Sequence, residues 1–156
     1  PEWAVAALLR HEKVRGLVWD PACGTGTIPR VCERRGLPAI GSDLATGTDF
    51  LGEGRRRRGV RSIVCNPPFK HARAFIERAL ELKVEFAAFL LRLAFLEGQE
   101  RRAMLGRTPL ARVLVFSKRF LRAARQSVDA LQHRIFFIAA PVRARNAPQF
   151  VGADFL

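Results

Sequence analysis

Short apolar strands alternating with helices predict one doubly wound α/β domain, residues 1–156, with a mostly parallel sheet covered on both faces. Three observations carry that expectation. Brief apolar runs such as Leu17-Val18-Trp19 and Phe86 to Leu91 have strand length, the segments between them space their apolar residues as helices do, and glycine or proline stands at their ends. The chain has 156 residues, 49% hydrophobic and 26% charged, enough for one domain with a real core and in ordinary globular proportion.

In chain order, Trp3 to Leu9 reads as a short helix, ended near Gly16. Leu17-Val18-Trp19 is a strand that stops at Asp20-Pro21. The turn Cys23-Gly24-Thr25-Gly26 opens a helix with Ile28, Val31 and Cys32 on one face and Gly36 as its stop. Pro38-Ala39-Ile40-Gly41 is a second strand, ending at Asp43, and Thr46 to Gly54 is loop. Arg61 to Cys65 is a third strand, running into Asn66-Pro67-Pro68-Phe69. Ala72, Phe75, Ile76, Ala79 and Leu80 fall at helical spacing. Phe86 to Leu91 is a fully apolar strand, followed by a charged helix from Leu93 to Leu105. Val113 to Phe116 and Ile135 to Ala139 are the last strands, with a helix from Arg122 to Leu131 between them.

No apolar run approaches the ~20 residues of a membrane span. Pro1 in place of Met implies a processed, trimmed or missing N-terminus, and nothing after it reads as a signal peptide, so the cytoplasm is the expected compartment. Cys23, Cys32 and Cys65 are odd in number and lack metal-ligand spacing, so they read as small buried apolar residues and no metal is expected. Lysine and arginine total 27 against 14 acids, a net charge of +13. Such a field attracts polyanions, which makes nucleic acid the first partner to consider. The competing explanation is a GC-rich genome that favours arginine codons, since arginine greatly outnumbers lysine.

Two constellations carry chemistry. In Asp20-Pro-Ala-Cys-Gly-Thr-Gly26, Gly24 and Gly26 let the backbone turn tightly and approach a ligand at the mouth of a helix. A phosphate loop would want a third glycine or a Gly-Lys-Ser/Thr ending, and Asp20 would repel a pyrophosphate. An acid there suits a ligand with a positive end, and Asp43, ending the next strand, suits ribose hydroxyls. In Asn66-Pro67-Pro68-Phe69, the prolines remove two N–H donors and leave a stiff segment of bare carbonyls. The Asn66 side-chain carbonyl beside the Pro67 carbonyl offers two acceptors to an NH2 group, and Phe69 a flat face for a base. Either constellation alone also reads as a glycine turn or a proline-rich turn with a core phenylalanine.

Together these motifs resemble the amino-methyltransferases, most of all the small phage-type DNA N(6)-adenine methyltransferases. Asp20 to Gly26 is similar to their cofactor loop, including Pro21 and Cys23, and Asn66 to Phe69 to their catalytic tetrapeptide. Pro1 to Leu9 resembles their N-terminal cofactor-covering segment, and Phe89 to Met104 also has a family look. The likeness covers roughly residues 1–120. It implies a Rossmann-like class I methyltransferase: a mostly parallel seven-stranded sheet flanked by helices, with an antiparallel strand near the C-terminus. It also implies S-adenosylmethionine as cofactor. Asp20 would bind its methionine end, Gly24 and Gly26 would line it, Asp43 would hold the ribose, and Asp49 with Phe50 would flank the adenine. Asn66 and Pro67 would accept from the target amino group, with Phe69 stacked on a base flipped from DNA. Near the C-terminus, Arg134 to Ile138 stands where the family often has a tryptophan-bearing strand.

RNA adenine or guanine is the alternative substrate, a release-factor glutamine a further one, and a non-catalytic nucleic-acid-binding module the competing class. No separate target-recognition domain fits, so weak or partner-supplied sequence specificity is expected. Lys70, Arg73, Arg92, Lys118 and Arg119 follow strand ends and are the expected phosphate contacts, whereas the run Arg55 to Arg58 is expected to form a solvated face at the opposite edge.

Overall fold

A computed structural model of the chain describes residues 2–52, 57–97, 99–116, 134–139 and 149–153. The chain divides into two compact units, Pro1–Phe89 and Leu90–Leu156.

The first unit opens with α1 (Glu2–His11), which buries Ala4, Val5, Ala7 and Leu8, an i, i+3, i+4 stripe. β1 (Leu17–Asp20) follows and ends where Pro21 has no N–H for a ladder. After the turn come α2 (Thr27–Glu33), β2 (Ala39–Gly41), β3 (Val60–Cys65) and α3 (Ala72–Glu81), and then the start of β4 (Phe86–Arg92). The strands lie in the order β2-β1-β3-β4. All three pairings are parallel, with Trp19 beside Ile40 on one side and Ile63 on the other, and Cys65 beside Phe89. Ser62, Ile63, Val64 and Cys65 are all buried. Successive side chains point to opposite faces, so four buried in a row mean that both faces of β3 are covered.

Trp19 is fully buried and its Nε1 donates to Ser42 Oγ at 2.9 Å. Phe50 stands edge-on to it at 5.2 Å and tilts against Phe75 at 4.9 Å, in the range where aromatic pairs gain beyond area alone. The expected solvated face at Arg55 to Arg58 is corrected at Arg57, whose guanidinium lies 4.7 Å from the Trp19 ring centroid. A large indole face with a cation within reach attracts it. Arg58 is exposed, and Arg55 and Arg56 lie outside the described residues.

In the second unit, the helix expected from Leu93 to Leu105 is two elements. A 3-10 turn runs over Leu93–Leu96, Glu97 is extended, and α4 covers Gln99–Arg107. β5 (Leu110–Phe116) pairs antiparallel with β6 (Arg134–Ala139), and β7 (Gln149–Ala153) joins β5 in parallel. β6 is the antiparallel strand expected near the C-terminus and makes the arrangement mixed, returning against β5 with Val115 opposite Ile135 and Leu110 opposite Ala139. β7 lies beyond every strand expected from the sequence. The helix expected from Arg122 to Leu131 lies outside the described residues. Phe116 and Phe136, 5.8 Å apart, centre a core with Val113, Leu114, Ile135 and Ile138. No described helix is long and apolar enough to cross a membrane.

Ile63 is fully buried on β3, between β1 and β4. Replacing it with alanine leaves a cavity, and Ile63→Ala should lower the unfolding free energy by about 2–5 kcal/mol in urea titration. A loss under about 0.5 kcal/mol would contradict this placement of the core.

Candidate active site

β1, β2 and β3 are parallel neighbours, so their carboxyl ends stand side by side, roughly 4.8 Å apart, at one edge of the first unit. The turn from Asp20 to Gly26 leaves β1 there, Asp43 follows β2, and Asn66 follows β3. Both constellations expected from the sequence therefore share one edge.

Gly24 (φ 48) and Gly26 (φ 77) occupy the left-handed region, where glycine alone is unstrained. Gly26 caps α2 and its amide donates to Cys23 O at 2.7 Å. The turn is stitched to the end of β2. The Cys23 amide donates to Ser42 O at 3.0 Å, Ser42 N to Asp20 O at 3.0 Å, and Gly24 N to Asp43 Oδ2 at 2.9 Å. Asp43 Oδ1 also accepts from Ala45 N at 2.9 Å, and these two backbone donors hold its carboxyl below the usual carboxylate range. Arg30 Nη1 donates to Thr25 O, bracing the outer limb of the turn.

Asp20 is 2% exposed. Burial lifts its pKa to about 7; the Ala22 amide, donating at 3.3 Å, and the Cys65 thiol oppose the rise, and the Asp43 charge adds to it. A carboxylate held this dry is uncomfortable without a cation, and a bound ammonium would restore its charge. Burial and the nearby carboxylates raise all three thiols as well: Cys65 well up, Cys32 to about 11, and Cys23 above its ordinary value.

Asn66 is exposed, Pro67 buried and Pro68 exposed. Among the described residues the Asn66 side chain and the Pro67 carbonyl have no hydrogen-bond partner. Pro68 is extended (φ −56, ψ 129), and its carbonyl accepts from His71 N at 2.9 Å to start the turn Phe69–His71. Phe69 is 43% exposed, an unusual position for a phenylalanine. Asp49 is exposed and accepts from Leu51 N at 3.0 Å, whereas Phe50 turns into the core against Trp19 and Phe75. Pro21 is buried beneath the turn.

Three further residues belong to this edge. Cys65 links the two constellations, because its thiol is bonded to Asp20 while its backbone leads into Asn66. Gly41 is required by space: a Cβ there would meet Cys23 Sγ at 2.8 Å and Cβ at 2.9 Å. Leu44, directly after Asp43, is 72% exposed. The sequence signal for Leu44 was its position next to an acid at a strand end; neither Cys65 nor Gly41 carried one. Lys70 and Arg73 follow the tetrapeptide and are exposed, with Arg73 paired to Glu77 at 2.9 Å. Arg92 ends β4 in the second unit, and Lys118 and Arg119 lie outside the described residues.

The folded Asp20 binds a proton that the unfolded chain has already released between pH 3.8 and about 7, so ionisation costs stability as pH rises through that window. Asp20→Asn removes this cost. Relative to the natural chain, the variant should gain up to roughly 4 kcal/mol between pH 4 and pH 8 in denaturant titrations. Parallel stability–pH curves for the two proteins would refute the buried carboxyl.

No protein-family profile and no curated protein sequence matches this chain. Solved structures do resemble it. The modification subunit of a candidate type I restriction enzyme from Vibrio vulnificus YJ016 superposes with a TM-score of 0.55 at 13% identity, over 90% of this chain and 44% of that one. A candidate RNA methyltransferase from Pyrococcus horikoshii gives 0.60 at 15%, over 92% and 81%. A TehB-like SAM-dependent methyltransferase from Corynebacterium glutamicum gives 0.54 at 12%, over 89% and 86%. This chain thus spans less than half the length of the restriction-enzyme subunit and most of the length of the other two. What it shares with these methyltransferases is their Rossmann-like mixed α/β fold.

Proposed function

We propose that the chain transfers a methyl group from S-adenosylmethionine to the exocyclic amino group of adenine in DNA, in the manner of the phage-type enzymes that its motifs resemble. One observation carries the reading: Asn66 and Pro67, whose side-chain and main-chain acceptors have no hydrogen-bond partner among the described residues, lead into the exposed Phe69 at the edge that also holds the buried Asp20 carboxyl. The neighbours that share the fold add support, since their names speak of restriction-enzyme modification and of RNA methylation.

The residues suit the cofactor. A dry carboxyl whose described bonds come from one amide and one thiol fits a ligand bearing an ammonium group, so Asp20 takes the methionine end. Gly24 and Gly26 line it, with Pro21 and Cys23 completing the loop. Asp43, ionised and fixed by two backbone amides, takes the ribose hydroxyls. Asp49 receives the adenine edge. Phe50 fills the wall behind, and Leu44 supplies an exposed apolar surface. When bound, S-adenosylmethionine supplies a methyl group already activated by its sulfonium.

The chain's own part in the chemistry is to make a poor nucleophile competent. An aromatic amine shares its lone pair with the ring. Accepting one N–H at Asn66 and the other at Pro67 draws the nitrogen toward tetrahedral geometry and localises that pair. Because Pro67 and Pro68 fix the segment, the acceptors are in place beforehand and little reorganisation is left for the reaction itself. Phe69 stacks on the extruded base and offsets part of the cost of unstacking. Pro68 sets the direction in which that ring projects. No histidine is needed as a base.

RNA is the second reading, favoured by the neighbour from Pyrococcus horikoshii, which is closer in length to this chain. Tritiated cofactor offered with unmethylated DNA, RNA and protein decides between them after digestion. N(6)-methyladenine from DNA is the expected product, methylated RNA would replace the DNA reading, and no incorporation would leave a binding module. Asn66→Ala should lower incorporation by at least about 100-fold while cofactor affinity changes less than twofold. Equal loss of both would overturn the role given to Asn66. Because Asp20 must ionise to meet an ammonium, S-adenosylhomocysteine should bind about eightfold more weakly at pH 6 than at pH 7.5. Unchanged affinity would place the methionine end elsewhere.

A further inference from the structure

The charge of this protein is not concentrated at the edge just described. Among the described residues of the first unit, the carboxyl edge sets Lys70, Arg73 and Arg30 against Asp20, Asp43 and Asp49. The amino-terminal edge of the same strands is different. Lys13 and Arg15 precede β1, Arg35 precedes β2, and Arg58 precedes β3, and all four are exposed. Among the described residues none of the four has an ion-pair partner, whereas Arg34 is matched by Glu2 at 2.8 Å and Arg61 by Glu85 at 2.6 Å.

Backbone geometry brings them into a row. The carbonyl of Arg15 accepts from Ser62 Oγ at 2.8 Å, which seats it against β3, and Leu17 pairs with Val60, two residues after Arg58. On the other flank, Val18 N donates to Pro38 O at 2.9 Å, three residues after Arg35. Strand order β2-β1-β3 then spaces the row across two inter-strand steps, roughly 10 Å. Unneutralised like charges at this spacing repel one another, and a line of anions relieves that. A nucleic-acid strand carries one phosphate per ~3.4 Å of rise, so about three phosphates span the row.

At the Arg35 end, α1 and α2 form an open, shallow pocket of about 540 Å³ lined by Glu2, Trp3, Ala6, Val31, Arg34 and Arg35. Its size suits a nucleotide, and neither the turn at Asp20 nor Asn66 lines it.

From this placement we infer that the amino-terminal edge of the first unit is a second nucleic-acid surface, gripping a phosphodiester backbone through Lys13, Arg15, Arg35 and Arg58, distinct from the edge proposed for methyl transfer. It does not depend on methyl transfer. A protein of either kind, enzyme or binding module, would use it to hold a strand whose target base is read elsewhere.

The test is salt-dependent binding of single-stranded DNA, duplex DNA and RNA oligonucleotides to the full chain and to a variant carrying Lys13→Gln, Arg15→Gln, Arg35→Gln and Arg58→Gln. Each lost phosphate contact reduces the slope of log K against log salt by 0.7–0.9, so the variant's slope should fall by roughly 3 with whichever backbone the surface prefers. Lys70→Gln with Arg73→Gln, two substitutions at the other edge, should lower it by about 2 at most. A quadruple variant that keeps its circular dichroism spectrum and its full slope overturns the proposal. So does equal loss of binding to polyglutamate, which would mark the row as a site for acidic protein. S-adenosylhomocysteine affinity, measured in parallel, reads the methyl-transfer proposal separately: its absence in the natural chain sinks that proposal and leaves this one standing.

Discussion

Everything at the proposed site depends on the backbone stitch between the turn after β1 and the end of β2. Ser42 accepts from Cys23 and donates to Asp20, while the Asp43 carboxyl takes the Gly24 amide. A loop with two left-handed glycines would otherwise sample many shapes, since glycine loses the most conformational freedom on folding. Here the loop is fixed from the neighbouring strand, at one distance from Gly41, where even a methyl group lacks room. The bond from Gly24 that shapes the loop also helps to lower the pKa of Asp43, so the geometry and the electrostatics of the turn share an origin.

Asp20 and Asn66 represent opposite solutions to holding a polar group ready. Asp20 is buried, under-solvated and near neutrality, which costs stability unless a cation arrives. Asn66 is exposed and its rigidity comes from the two prolines that follow it. Cys65 lies between them, bonded to one and contiguous with the other.

Much of this was legible in the sequence, for identifiable reasons. β1, α2 and β3 announce themselves through Asp20-Pro21, the glycine turn and Asn66-Pro67-Pro68, whose backbone restrictions act locally. The parallel arrangement followed from apolar runs buried on both faces. What escaped was non-local. Leu93 to Leu96 and α4 read as one helix because apolar runs do not reveal the extended Glu97 between them. β7 is five residues with an internal glycine and no clear alternation, and only its pairing with β5 makes it a strand. Arg57 looked like part of a solvated run, and the Trp19 ring that holds it is far away in sequence. Gly41 and Cys65 gave no sequence signal, because their importance lies in the atoms that the fold sets against them.

The three thiols acquire meaning from this setting. A sulfonium methyl is an electrophile that does not discriminate well among nucleophiles, and a thiolate is a far better one than any aromatic amine. Cys23 sits within the loop, where burial and the charges of Asp20 and Asp43 raise its thiol pKa; burial and the Asp20 charge raise Cys32 and Cys65 as well. Under the methyl-transfer reading, the carboxyls that receive the cofactor also shield the protein from alkylating itself.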